Sequence, residues 1–233
     1  MLKPRATFDH KGTYGHSLLI TGSKGMMGAA QLTTQACLRS GSGLVSVQIP
    51  NIGNDILQIS APEAMTIPDK NQNHISQIPE LDRYNAIGIG PGLGQEVITQ
   101  QALQQLLKQA KTPLVIDADA LNILSKNLTW LSLIPKDSIL TPHLGEFRRL
   151  FGKSINSKAE LKLLQEKANE LGLIIVLKGA FTRVACPTGT MYFNSTGNPG
   201  MATGGSGDIL TGILTGLLAQ GYPPIEAALL GVW

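Results

Sequence analysis

The 233-residue chain predicts an α/β protein in three layers, a mostly parallel sheet covered by helices on both faces. Three observations predict it. Six short apolar runs, at residues 17–21, 43–49, 86–89, 113–116, 138–140 and 173–177, read as buried strands. Segments of helical spacing at residues 26–39, 96–108 and 158–171 alternate with them. The chain is 42% hydrophobic and 15% charged, which is enough for one sizeable core, and no linker-like tract divides it, so a single domain over residues 1–233 is expected.

Taken in order, each strand is defined by what stops it. SLLIT ends at Gly22, AIGI at Gly90, PLVI at Asp117, SIL at Thr141-Pro142 and LIIVL at Lys178-Gly179. Residues 182–185 and 190–193 flank Pro187-Thr188-Gly189 and form the one segment that reads as an antiparallel hairpin. A last apolar run, residues 209–218, reads as a helix.

Composition excludes several classes of function. Net charge is +3, the 19 Lys and Arg are scattered and aromatics are 5%, so the basic, stacking face of a nucleic-acid binder is missing. Cys37 and Cys186 have no metal-ligand spacing and are too few for a disulfide framework, which fits a reducing compartment. The opening MLKPRATFDHKGTYGH lacks the apolar core of a signal peptide, and no apolar run reaches the roughly 18 residues of a membrane span. A soluble, cytoplasmic protein is expected.

In open parallel sheets, ligands bind beyond the carboxyl ends of the strands. Here those ends carry Gly22-Ser-Lys-Gly25-Met-Met-Gly28, Gly90-Pro-Gly92-Leu-Gly94, Asp117-Ala-Asp119, Thr141-Pro-His143-Leu-Gly-Glu146 and Lys178-Gly-Ala-Phe-Thr182. Singly, each has a structural explanation: a tight turn for the glycines, a helix N-cap for Asp119 before ALNIL, a solvated strand end for Lys178. Together, five such loops on one rim point to a site.

The densest signal is TGGSGD at residues 203–208, directly before the apolar helix. Without side chains at Gly204, Gly205 and Gly207, backbone amides are able to converge on an anion, and a helix start adds unpaired N–H groups and partial positive charge. In that setting Asp208 is expected to be held ionised, with a depressed pKa, and to take the proton of a hydroxyl as its oxygen attacks phosphorus. The structural alternative is a capping Asp on a buried helix. Neither a Walker P-loop nor a G-x-G-x-x-G fingerprint is present.

GGSGD before an apolar helix resembles the anion hole of the ribokinase-like superfamily. More narrowly, HKGTYG, TGSKGMMGAAQL, LRSGSGLVSV, IGPGLG, VIDADALN, TPHLGEF, VLKGAFT and NPGMATGGSGDILTGI, in that order, resemble the NAD(P)H-hydrate dehydratase family from about His10 to the last residue. The resemblance implies a ribokinase-like αβα fold and a nucleotide-dependent repair reaction, in which the ring hydroxyl of a hydrated nicotinamide cofactor is phosphorylated and phosphate then leaves. It implies Asp208 as base and Gly204, Gly205, Ser206 and Gly207 as anion hole. Ala29, Gly94, His143 and Asp208 match substrate positions, while Lys178, Gly179, Ala180, Phe181, Thr182 and Gly207 match the adenine-nucleotide segment. Glu146 sits where relatives order Mg2+ through water, although His143 replaces the Asn of their N-x-x-E motif. ADP, more than ATP, is the implied phosphoryl donor. The resemblance further implies a homo-oligomer and an epimerase on a separate chain, and the chain's last residues, Gly231-Val-Trp233, fall short of the further helices of such proteins. Two alternatives share the same motifs: a small-molecule kinase of the superfamily acting on a vitamin precursor, and a non-catalytic nucleotide-binding module.

Overall fold

A computed structural model describes residues 3–233; Met1 and Leu2 of the expected domain lie outside the described residues. Nine strands form one sheet: β1 (His16–Ile20), β2 (Leu44–Ile49), β3 (Met65–Pro68), β4 (Ala86–Ile89), β5 (Leu114–Ile116), β6 (Ile139–Leu140), β7 (Ile174–Leu177), β8 (Arg183–Ala185) and β9 (Met191–Phe193). Their order is β3-β2-β1-β4-β5-β6-β7-β8-β9, with β1 to β7 parallel and the β8–β9 hairpin antiparallel.

The helices are α1 (Met27–Arg39), α2 (Asn54–Ser60), α3 (Val97–Gln109), α4 (Ala118–Lys126), α5 (Leu144–Phe151), α6 (Ser157–Leu171), α7 (Ser206–Ala219) and α8 (Pro224–Val232). Strand alternation assigns them to two layers. Leu18, Ile20, Ile87, Ile89, Leu114 and Ile116 pack on α3 and α4. Residues of opposite parity face the other way: Ala86, Val115, Ile139 and Ile174 meet α7 and α8, and Leu19, Val45 and Val47 meet α1. Ile175 and Leu177 pack on α5 and α6. The sheet is therefore buried on both faces, as near-continuous apolar strands require.

The six strands and the hairpin read from sequence are present to within a residue at their ends. Helix α8 was not read from the sequence, and neither were β3 and α2. β3 is an edge strand of four residues, MTIP, with no fully buried position, so it lacks an apolar run. α2 has seven residues and one buried side chain, Leu57, too short to show a helical period. Among the described residues no helix is long and apolar enough to cross a membrane.

α7 contains glycines that a helix interior ordinarily disfavours. A Cβ on Gly212 would lie 2.2 Å from the Thr33 carbonyl oxygen, and one on Gly216 2.0 Å from Ser40 Oγ. The glycines thus let α7 lie against α1, which fixes where α7 begins.

Candidate active site

The chain starts the sheet at its middle, builds outward through β2 and β3, then crosses to β4 and builds the other way. Between β1 and β4 the strand order reverses, and at such a switch point the loops part to leave a crevice. α7 packs over this point, and its first turn lies beside the ends of β5 and β7: a Cβ on Gly207 would stand 3.2 Å from Lys178 Nζ and 3.4 Å from Asp117 Oδ2.

The α7 start is built as the sequence suggests, with one shift. The helix begins at Ser206, so Asp208 is the third helical residue, and Gly205 is the N-cap at φ 95°. That left-handed conformation favours glycine. The amides of Gly204, Gly205, Ser206 and Gly207 donate to no backbone carbonyl among the described residues, so they remain available to an anion.

Asp208 corrects the sequence reading. Its carboxyl is pushed above the ordinary range, chiefly by burial, then by the negative charge of Asp117, with Asp119 adding a smaller push and Lys178 opposing. The helix-start field was expected to win. Burial and the two further carboxylates that share the crevice raise the pKa instead. The result suits a proton acceptor better than a depressed carboxyl would, since a base works best with a pKa nearer the operating pH.

Asp117, given no decided role by the sequence, is the hub. Its side chain is 1% exposed, accepts from Ala118 N–H and Lys178 Nζ at 2.8 Å each, and from the Thr211 hydroxyl of α7 at 3.1 Å. It ties the ends of β5 and β7 to the first turns of α7. Asp117, not Asp119, is the N-cap of α4, a second correction. The next residue, Ala118, sits at φ 48°, a conformation unusual for a residue with a side chain and held here by the packed surroundings. Lys178 is neither solvated nor free: it is spent on Asp117, with its side chain 23% exposed.

Asp119 instead faces the β4 loop, accepting from Gly94 N–H at 2.9 Å and from Gln95 Nε2 at 3.1 Å. Gly94 is thereby fixed beside the crevice. Ala29 is buried in the first turn of α1, against Gly92 of the same loop, where a Cβ on Gly92 would come within 2.9 Å of it.

His143 and Glu146 form a reciprocal capping box at the start of α5. His143 Nδ1 accepts from Gly145 N–H and Glu146 N–H at 2.9 and 3.3 Å, and Glu146 Oε2 accepts from His143 N–H at 2.8 Å. With Nδ1 accepting, a neutral ring carries its proton on Nε2, on a side chain 53% exposed toward the rim. Glu146 is buried, and burial raises its pKa most. A parallel bridge from His143 to Lys178 brings this turn to the end of β7. There Gly179, Ala180, Phe181 and Thr182 make the turn into β8, closed by Thr182 Oγ1 donating to the Gly179 carbonyl at 3.0 Å, with Phe181 62% exposed.

Among the described residues no three His, Cys, Asp or Glu side chains converge as a metal cage. A hard divalent ion that keeps its waters fits a different arrangement, one or two carboxylates plus the oxygens of a bound phosphate. Glu146 and Asp117, close enough to influence each other's charge, are the carboxylates that would be available to such an ion.

This architecture defines the class. A parallel αβα sheet, with a carboxylate at a glycine-flanked helix start over its switch point, is the ribokinase-like fold. A ribokinase from Cryptococcus neoformans shares it at a TM-score of 0.63 over 94% of this chain and 91% of its own, at 14% identity. The profile of the NAD(P)H-hydrate dehydratase family matches residues 17–233, and the chain belongs to that family. A bifunctional NAD(P)H-hydrate repair enzyme of Moorella thermoacetica is 39% identical over 100% of this chain and 46% of its own length. The corresponding enzyme of Vibrio cholerae is also 39% identical, over 100% and 46%. The chain thus spans less than half the length of these curated relatives. An ADP/ATP-dependent NAD(P)H-hydrate dehydratase from Bacillus subtilis, crystallised with ATP and Mg2+, superposes at a TM-score of 0.84 with 36% identity, over 100% of this chain and 82% of that one. Both curated relatives are bifunctional on one polypeptide.

Proposed function

We propose that residues 1–233 act as one catalytic domain that returns hydrated NAD(P)H to NAD(P)H, with an adenine nucleotide as phosphoryl donor. The observation that carries this reading is Asp208, raised in pKa at the open amides of the α7 start and facing the Asp117–Lys178 pair. It supports a hydroxyl-phosphorylating site, and family membership supplies the hydroxyl's owner. The ring hydroxyl oxygen attacks the terminal phosphorus of the nucleotide, its proton passes to Asp208, and the nucleotide leaves one phosphate shorter. The amides of residues 204–207 meet the charge on the transferred group. Inorganic phosphate then departs with the carbon–oxygen electron pair and the neighbouring ring carbon loses a proton, restoring the double bond.

Lys178 to Thr182 and Gly207 form the nucleotide side of this proposal, and Ala29, Gly94 and His143 the acceptor side. Magnesium, held by Glu146 through water, would neutralise phosphate charge. A cytoplasmic homo-oligomer completes the reading, on family resemblance. The test is absorbance of reduced nicotinamide in purified protein given hydrated NADH, Mg2+ and either ADP or ATP. A nucleotide-dependent rise is expected. No rise, with a stable phosphorylated product instead, would make the protein a kinase.

Two predictions arise from the site. Because Asp208 must be ionised to accept a proton, kcat/KM is expected to fall as pH drops through its raised pKa, at higher pH than an ordinary carboxylate gives. Asp119→Asn removes one of the charges that raise that pKa, so the acid limb is expected to move to lower pH. A limb that moves upward would exclude Asp208 as its source. Gly205→Val is expected to raise KM for nucleotide and acceptor together, because φ 95° strains a β-branched residue and its Cβ would meet Leu32 Cδ1 at 2.5 Å. Unchanged kinetics would leave the glycines with a turn-making role only.

A further inference from the structure

Two arginines stand side by side on α5 and are used differently. Arg148 Nη2 meets Glu160 Oε2 of α6 at 3.0 Å, an ion pair whose carboxylate is 11% exposed and which ties the two helices together. Arg149 is exposed and reaches back along α5 toward its first turn, so its guanidinium comes to the carboxyl rim instead. Its Nη2 donates to Asn122 Oδ1 of α4 at 2.8 Å, its one hydrogen bond among the described residues. Nη1 stands 3.6 Å from where a Cβ on Gly145 would lie, and that same point is 2.8 Å from His143 Cε1. The Arg149 fork and the His143 ring thus flank one position on the rim.

Asn122 does more than hold the arginine. Its Nδ2 donates to Asp119 Oδ1 at 3.4 Å, and Asp119 in turn accepts from Gly94 N–H at 2.9 Å. Gln95 repeats the arrangement: Nε2 donates to Asp119 Oδ1 at 3.1 Å while Oε1 accepts from Lys126 Nζ at 2.8 Å. An amide therefore stands between the Asp119 carboxylate and each cation, so Arg149 is oriented without being neutralised. A guanidinium fixed through one N–H keeps the rest of its planar fork for an oxyanion, and that fork matches two oxygens of a phosphate. The crevice itself offers an acceptor's phosphate little. Asp117 and Asp119 crowd Asp208 with negative charge, and Lys178 there is paired with Asp117. Those carboxylates repel an anion toward the rim.

We propose that Arg149 is a substrate-binding residue that receives a phosphate of the acceptor dinucleotide, beside His143. The inference deepens the dehydratase reading and rests on it. Hydrated NADH carries a charged pyrophosphate, and hydrated NADPH a further phosphate on its ribose. Either suits the fork, and the two are told apart by which acceptor shows the effect.

The test measures KM for hydrated NADH and hydrated NADPH in Arg149→Met, Arg149→Lys and Asn122→Ala. Arg149→Met is expected to raise KM for the acceptor roughly tenfold, the loss of a charge-assisted hydrogen bond, with kcat, nucleotide KM and Tm close to wild type. Arg149→Lys keeps the charge but not the fork and is expected to recover part of the loss. It carries the same comparison if Met does not fold. Asn122→Ala frees the guanidinium without removing it and is expected to cost less than Arg149→Met. An equal rise with both acceptors assigns the pyrophosphate, and a rise with hydrated NADPH alone assigns the ribose phosphate. Unchanged KM for both acceptors would overturn the proposal, as would an equal or larger rise in nucleotide KM. So would an Asn122→Ala variant that matches Arg149→Met in KM while both lower kcat, the pattern of an arginine that acts only by positioning Asp119. If the wild type shows no nucleotide-dependent recovery of reduced nicotinamide, the functional reading fails by itself. Equilibrium binding of NADH and NADPH, with the nucleotide side filled by a non-hydrolysable ATP analogue, then decides Arg149. Weaker binding for Met, partly regained for Lys, supports it, and equal or absent binding overturns it.

Discussion

Asp208→Asn is expected to lower kcat by about a hundredfold to ten-thousandfold, the range for removing a general base. Asn keeps the shape of the side chain and leaves the amides of residues 204–207 where they are, so nucleotide affinity should change little. Stability separates this outcome from a folding defect. The carboxyl's pKa is raised in the folded state, so its ionised form is disfavoured there, and that cost is felt once pH rises through the raised value. Neutral Asn removes the cost, and at neutral pH the variant should melt at or above the wild-type temperature. A variant with near-normal turnover would take the base role from Asp208. One that has lost both turnover and stability would mark Asp208 as a structural cap.

Lys178→Met is expected to have the largest effect on stability. It leaves the Asp117 carboxylate, 1% exposed, with only the Ala118 N–H and the Thr211 hydroxyl. Removing one partner of a buried pair costs about 3–5 kcal/mol; the low end applies here because Lys178 is partly exposed, and Tm should fall by on the order of 10 °C. Turnover should fall as well, since Asp117 anchors the α7 start through Thr211, and loss of the cation lets the Asp208 pKa rise further. Calorimetry of the single variant beside Asp117→Asn/Lys178→Met checks the cause. The double variant buries no lone charge and is expected to recover much of the stability without recovering activity. If Lys178→Met melts like the wild type, the pair is not what joins β5, β7 and α7.

The parts of the site legible in sequence are those whose chemistry is local. Gly204, Gly205 and Gly207 need no partner to imply converging amides, and GGSGD before an apolar run announces a helix start with open amides whatever lies across from it. His143 and Glu146, three residues apart, close their capping box within one turn. The loops at the strand ends were legible because a parallel sheet delivers every carboxyl end to the same rim.

What escaped the sequence depends on distance. Asp117 and Lys178 are 61 residues apart, and Asp117 and Thr211 94 apart, so no spacing rule connects them. The Asp208 pKa was read with the wrong sign for the same reason: the helix start that lowers it is adjacent in sequence, while Asp117 and Asp119 arrive from another strand. The sequence by itself determined the parallel three-layer sheet, the rim and the glycine-flanked helix start, because strand period, turn chemistry and helix ends are set by neighbouring residues. The tertiary structure alone decided which charges share the crevice, because pairing, burial and mutual repulsion act through space between strands far apart in the chain.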